Sequence, residues 1–106
     1  MDKDELVDHI FDCFRNEWSK EYIEYNPDCI TEFLKFTLYR ESILAAGKEN
    51  ARGIAEEIVM SNRFEEEFVD YLIEVKAVLE DDIDVQKDFL RDIRRKVLKG
   101  EGVVNY

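Results

Sequence analysis

Apolar residues recur at intervals of three and four along nearly the whole of this 106-residue chain, and strict apolar–polar alternation appears nowhere. That period gathers side chains on one stripe of an α-helix, whereas a half-buried strand needs a period of two. One proline and four glycines are too few to turn the corners of a multi-stranded β protein. The expectation is an all-α fold, a compact bundle of four to five helices joined by short loops, in a single domain over residues 1–106. Hydrophobic residues make up 45% and aromatics 12%. At this length that suffices for a core rather than disorder, despite 39% charged residues.

The stripes divide the chain. Leu6, Val7, Ile10, Phe11, Phe14 and Trp18 mark a first helix from about Asp4 to Trp18. Beyond it the phase slips, with Glu17 and Glu21 on the apolar side and Ile23 off it, so Ser19 is read as the cap of a short helix reaching Tyr25. Asn26-Pro27-Asp28 reads as the next start, with Asn26 as cap, Pro27 in the first position and Asp28 at the positive end of the dipole. The helix that follows, to about Ala46, is apolar on two sides. Ile30, Phe33, Leu34, Leu38, Leu44 and Ala45 form one side, and Cys29, Phe36 and Ile43 the other. Such a helix is expected at the centre, and Gly47 is read as its closing cap.

Another helix spans about Asn50 to Met60, with Ala51, Ile54, Ala55, Ile58 and Val59 inward and Gly53 opposite them. Ser61 or Asn62 then caps a helix from about Arg63 to Glu80, striped by Phe64, Phe68, Tyr71, Leu72, Val75, Val78 and Leu79. Asp81, Asp82 and Asp84 break it. A last helix from about Val85 to Leu98 buries Val85, Phe89, Ile93 and Val97, ends at Gly100, and leaves a frayed tail from Glu101 to Tyr106.

A net charge of −11 and a pI near 4.5 argue against direct contact with nucleic acid or anionic membranes. No apolar run approaches the roughly 18 residues of a transmembrane helix. The start, Met1-Asp2-Lys3-Asp4-Glu5, lacks the basic and apolar regions of a signal peptide. Cys13 and Cys29 make no disulfide framework. The expectation is a cytoplasmic protein with reduced thiols and no cofactor.

The negative charge is concentrated. Glu65, Glu66, Glu67, Asp70, Glu74, Glu80, Asp81, Asp82 and Asp84 crowd one stretch, and Arg91, Arg94, Arg95, Lys96 and Lys99 follow soon after. Like charges so close together cost stability unless something offsets them. The nine acids are therefore read as a partner-binding surface, with Glu67, Asp70 and Glu74 central and Asp81, Asp82 and Asp84 at the rim. Carboxylates in that density can stand in for phosphates and steer a basic partner into contact. The expected function is a non-enzymatic protein-binding module, a small inhibitor or antagonist of the immunity or phage type. Its partner would be the basic groove of a nuclease or other nucleic-acid-binding protein. The plainer alternative is a solvated face, with the basic cluster complementing the last helix dipole and pairing internally.

Two other classes stay open. A structural subunit or homo-oligomer is suggested by the two-sided helix and by outward Val69 and Ile73. A metal protein is suggested by His9, Cys13 and Glu17, which recur every fourth residue and offer three ligand types, with Cys29 as a fourth. Against it, structural zinc sites show short-spaced pairs of cysteines or histidines, and a boundary column with Cys13 as a small hydrophobe explains the same spacing. Glu17, Glu21 and Glu41 fall on apolar sides, where burial would raise their pKa unless Arg40 or other cations pair with them. A serine or cysteine hydrolase would have only His9 as base, a single histidine cannot build paired Glu-x-x-His units, and no glycine-rich phosphate loop occurs. Ile54 to Arg63 resembles the turn of a helix-turn-helix, but the next helix opens with Glu65-Glu66-Glu67, which would face phosphates with no counterion gain.

Overall fold

A computed structural model describes residues 2–99, with the backbone alone at Tyr25. Among them the chain forms six α-helices and no strand: α1 (Lys3–Glu17), α2 (Lys20–Tyr25), α3 (Cys29–Ala46), α4 (Ala51–Val59), α5 (Asn62–Glu74) and α6 (Ile83–Leu98). The all-α class is as expected, but the helices number six rather than four to five. The extra one is the short segment after Ser19, whose hydroxyl accepts from the Tyr22 N–H at 3.1 Å once an extended Trp18 has ended α1. Gly100, read as the end of the last helix, and the tail Glu101–Tyr106 lie outside the described residues.

α3 packs against α1, α4 and α6, and α5 against α1, α4 and α6. The centrality of α3 was expected, but its two faces were not. Ile30, Leu34 and Leu38 are buried, whereas Leu44 is 74% exposed and Ala45 also faces solvent. Of the expected second side, Cys29 and Ile43 are half-buried and Phe36 is exposed, and α3 instead buries the polar side chains Thr31, Lys35, Thr37, Glu41 and Ser42. Most of these polar groups have partners, which is what makes their burial tolerable. Thr37 Oγ1 donates to Phe33 O at 3.0 Å and accepts from Trp18 Nε1 at 3.3 Å. Lys35 Nζ donates to Glu32 Oε1 at 2.7 Å. Thr31 Oγ1 donates to Asp92 Oδ2 at 2.6 Å and accepts from Lys96 Nζ at 2.9 Å, tying α3 to α6.

Asn26 closes α2 instead of opening α3. Its N–H bonds to Tyr22 O at 3.0 Å and its side-chain amide to the same carbonyl at 3.2 Å. Asp28 holds the cap position of α3 without a side-chain bond. Gly47 ends α3 at φ 85°, a conformation glycine adopts at no steric cost. The core is aromatic where α1 meets α5: Phe11 lies 5.4 Å from Phe64 and Phe14 5.0 Å from Tyr71, centroid to centroid. In α6 the buried positions are Gln86, Leu90, Ile93 and Val97, while Val85 and Phe89, expected inside, are half-buried.

Candidate interaction surface

The acidic stretch is shaped by where α5 stops. Its apolar stripe continues to Val78, yet the helix ends at Glu74 because Lys76 turns left-handed at φ 60°. The Ala77 N–H then bonds to Leu72 O at 2.9 Å and the Lys76 N–H to Ile73 O at 3.1 Å. This crossed pair is the Schellman ending, usually made with glycine. The expected helix to Glu80 is thus cut short. Val75 and Val78 still tuck into the core, but Leu79 is 70% exposed.

The turn that follows is anchored at its far end. Asp82 Oδ1 accepts from the Val85 N–H at 3.3 Å and caps α6. Gln86, buried in α6, donates Nε2 to Leu79 O at 2.8 Å and Glu80 O at 3.1 Å. These bonds hold the carbonyls inward, so Leu79, Glu80, Asp81, Ile83 and Asp84 stay exposed. Ile83 is 50% exposed.

The nine acids divide by where their helices point them. With Phe64, Phe68, Tyr71 and Leu72 inward, a rotation of about 100° per residue sets Glu66 and Asp70 opposite the core. Both are exposed and make no ion pair with a described residue, and the same holds for Glu80, Asp81 and Asp84. Glu67 and Glu74 lie on the flank toward α1. Glu67 pairs with Arg63 at 3.1 Å, an arginine shared with Asp8 at 2.6 Å, and Glu74 pairs with Arg15 at 3.2 Å. Glu65 lies on the other flank, 3.7 Å from Arg94. Five acids are therefore exposed with no ion pair among the described residues, three are engaged within the fold, and Asp82 is a helix cap.

The basic cluster of α6 is largely internal, as its plainer reading held. Arg94 Nε donates to Val59 O at 2.8 Å and closes α4. Arg91 pairs with Asp88 at 3.0 Å, Arg95 with Asp92 at 2.9 Å, and Lys96 with Asp92 at 3.2 Å and Glu32 at 3.6 Å. Lys99 is exposed. Burial alone would raise the Asp92 carboxyl, but hydrogen bonds from Thr31, Arg95 and Lys96 outweigh it and hold the group below its ordinary value.

A second constellation joins α1 to α3. His9 and Cys13 do share one face of α1, with Cys13 Sγ 3.5 Å from His9 Nε2. Their third neighbour is Glu41, not Glu17: His9 Nε2 lies 2.7 Å from Glu41 Oε1. Glu17 instead pairs with Arg40 Nη2 at 2.6 Å, and Arg40 Nε reaches Glu41 Oε2 at 2.9 Å. The pairing of these acids with Arg40 was one of the expected outcomes. Burial would raise Glu41, but the bonds from Arg40 and His9 prevail and lower its pKa, so it is no elevated acid. Burial pushes the Cys13 thiol up, with Glu41 and Glu17 adding to the effect. Glu21 is exposed. Cys29 opens α3, about 18 Å of helix from Glu41 at 1.5 Å per residue, so it neither joins this group nor bridges to Cys13; both thiols are free.

Two residues of the patch escaped sequence reasoning. Leu79 fell on the inward stripe, and nothing about Lys76 announces a left-handed turn. Ile83 stood alone among acids with no period to place it. No helix among the described residues is long and apolar enough to cross a membrane. Comparison with protein families, with characterised proteins and with solved structures finds no match for this chain. The turn offers groups suited to recognition: exposed carboxylates beside two exposed apolar side chains in sequence.

Proposed function

We propose that the protein is a non-enzymatic binding module that engages a basic protein surface, such as the groove of a nuclease or other nucleic-acid-binding protein, as a small inhibitor or antagonist. The observation that carries this reading is the exposure of Leu79 and Ile83, 70% and 50%, in a turn that also exposes Glu80, Asp81 and Asp84. Solubility alone calls for carboxylates but not for a bare leucine and isoleucine among them. Apolar anchors rimmed by charge are how protein interfaces are organised. The free acids Glu66 and Asp70, on the solvent side of α5, add negative charge that supplies long-range steering toward a basic partner. Glu67 and Glu74, occupied by Arg63 and Arg15, contribute to the field from its edge.

The test is a capture experiment on the native host lysate with three chains. These are the wild type, a chain with Glu66→Gln, Asp70→Asn, Glu80→Gln, Asp81→Asn and Asp84→Asn, and a chain with Leu79→Ser and Ile83→Ser. The reading predicts a basic nucleic-acid-binding protein on the wild type and its loss from both variants, with far-ultraviolet circular dichroism unchanged. Identical captures from all three chains would contradict it.

A homo-oligomeric scaffold is the second reading. It is supported by a groove of about 490 Å³ in which exposed Met60 and Leu98 are bordered by Lys87, Arg91 and Arg95. Its cations outnumber its one acid, Glu65, which favours the acidic turn of another copy, although Arg91 and Arg95 also pair with Asp88 and Asp92. Val69 and Ile73, on which the expectation rested together with the two-sided helix, are half-buried, and on that helix Phe36 is exposed. Sedimentation showing a monomer at micromolar concentration would count against this reading.

A further inference from the structure

His9, Cys13 and Glu41 bring a nitrogen, a sulfur and an oxygen within 4.8 Å of one another, from two helices and across 32 residues of sequence between His9 and Glu41. The same ring atom, Nε2, faces both partners, at 2.7 Å from Glu41 Oε1 and 3.5 Å from Cys13 Sγ. A catalytic cysteine–histidine–carboxylate relay needs opposite ring nitrogens for thiol and carboxylate. Three donor atoms converging on one point is instead the arrangement of a coordination site. We propose that His9, Cys13 and Glu41 bind a zinc-type divalent transition-metal ion that staples α1 to α3, with water in the fourth position.

The distances suit such an ion with little movement. Tetrahedral zinc with bonds of 2.0–2.3 Å holds its sulfur and nitrogen ligands about 3.6 Å apart, and its nitrogen and oxygen ligands about 3.3 Å apart. Cys13 and His9 already stand at 3.5 Å, but the sulfur also lies 4.0 Å from Nδ1, beside the ring, so the imidazole has to turn to aim its Nε2 lone pair at the shared ion. Glu41 Oε1 has to withdraw by about 0.6 Å from its 2.7 Å contact to reach the separation zinc sets. Arg40 and Glu17 position the carboxylate. Arg40 holds Oε2 at 2.9 Å and leaves Oε1 for the ion, while Glu17, 2.6 Å from Arg40, cancels its charge. Partners of this kind orient first ligands in established metal sites.

The charges also close. Glu41 and Glu17 against Arg40 leave one negative charge, the Cys13 thiolate adds a second, and a divalent ion neutralises both. Binding releases the thiol proton to solvent, and the His9 proton that bonds Glu41 from Nε2 gives way to the Nδ1–H tautomer, which frees the Nε2 lone pair for the ion. Because the thiol gives up its proton to bind the ion, uptake strengthens with rising pH. Access is from solvent: the His9 side chain is 44% exposed, and a cavity of about 270 Å³ lined by Leu6, His9, Glu41, Leu44 and Ala45 adjoins the site. This inference is independent of the acidic patch.

The experiment is a titration of the full chain with cobalt(II), read as the thiolate-to-cobalt charge-transfer absorption in the near ultraviolet. The wild type and Cys29→Ser are expected to give the band at one equivalent, and Cys13→Ser to lose it. His9→Gln and Glu41→Gln are expected to weaken binding at least tenfold, while Glu21→Gln, at an exposed residue outside the group, keeps the band. Zinc is expected to raise the melting temperature of the wild type and not of Cys13→Ser. No band in the wild type overturns the proposal, as does a band that survives Cys13→Ser or depends on Cys29. Should Glu41→Gln fail to fold, His9→Gln at its half-exposed position decides alone, and unchanged affinity there overturns the site.

Discussion

Replacing Thr31 by valine removes the bond that ties the buried face of α3 to α6, and does so at nearly constant shape. Thr31 is 1% exposed. Its hydroxyl donates to Asp92 Oδ2 at 2.6 Å and accepts from Lys96 Nζ at 2.9 Å. Bonds to charged groups contribute about 1.5–3 kcal/mol each when both sides are satisfied. Here the loss is partial, because Asp92 keeps Arg95 at 2.9 Å and Lys96 at 3.2 Å. A buried methyl in place of the hydroxyl returns about 0.8 kcal/mol. The net destabilisation comes to about 1–2 kcal/mol, or a fall in Tm of about 10 °C for a domain of this size. Urea unfolding followed by circular dichroism should show a lower midpoint with an unchanged slope.

The pH dependence separates this explanation from simple repacking. Asp92 titrates below its ordinary 3.8 because hydrogen bonds from Thr31, Arg95 and Lys96 overcome its burial. A carboxylate lowered in the folded state adds stability that is present above its unfolded pKa and is lost as pH falls through the folded value. Without the Thr31 hydroxyl that depression is smaller. The gap between wild type and Thr31→Val should therefore be widest at about pH 7 and narrow below about pH 4. A gap of the same size at both pH values, or no gap at neutral pH, would refute the charge-assisted bond.

Three further outcomes follow from single observations. Lys76→Gly should stabilise the protein by about 1 kcal/mol, since glycine relieves the left-handed φ of 60° and loses only part of that gain to unfolded-chain entropy; a lower urea midpoint would contradict the turn. Ser42→Ala should be neutral or stabilising by up to about 1 kcal/mol, because the buried Ser42 hydroxyl finds no partner among the described residues; a clear loss in thermal melting would reveal a bond there. Burial, reinforced by Glu74, pushes the Tyr71 phenol from 10.0 up to about 12. A group raised in the folded state adds stability that is full below its unfolded pKa and lost as pH rises through the folded value. The unfolding free energy from urea titrations should fall above about pH 10, by about 2–3 kcal/mol in all at 1.36 kcal/mol per unit, and Tyr71→Phe should flatten that slope.

Most of the helices were legible because their ends carry short-range chemistry. Ser19 and Ser61 accept from the N–H three residues on, at 3.1 and 3.2 Å, and Gly47 closes α3, each at the expected position. The misreadings arose where long-range packing decided. Asn26 bonds backward to Tyr22 because α2 ends there, a choice invisible from the Asn-Pro-Asp triplet. Leu44 is exposed while Lys35 and Glu41 are buried, since α3 meets neighbours on several sides and ion partners make polar burial tolerable. The end of α5 rests on one lysine in a glycine-like conformation, for which no sequence rule exists. At the candidate sites, period alone put His9 and Cys13 together. Glu41 could not be matched to them without the packing of α1 on α3, and the division of the acids into free and paired needed the positions of Arg15, Arg63 and Arg94.

The central claim, that the free acids and their two apolar neighbours form a docking face, is most directly tested by the affinity of the captured partner, once purified, for two chains. The wild type is compared with the chain neutralised at Glu66, Asp70, Glu80, Asp81 and Asp84, at low and moderate salt and with duplex DNA as competitor. The account predicts wild-type binding that weakens as salt rises and is displaced by DNA, and a loss of at least tenfold in the neutralised chain. Equal affinities for the two chains, or binding indifferent to both salt and DNA, would contradict it.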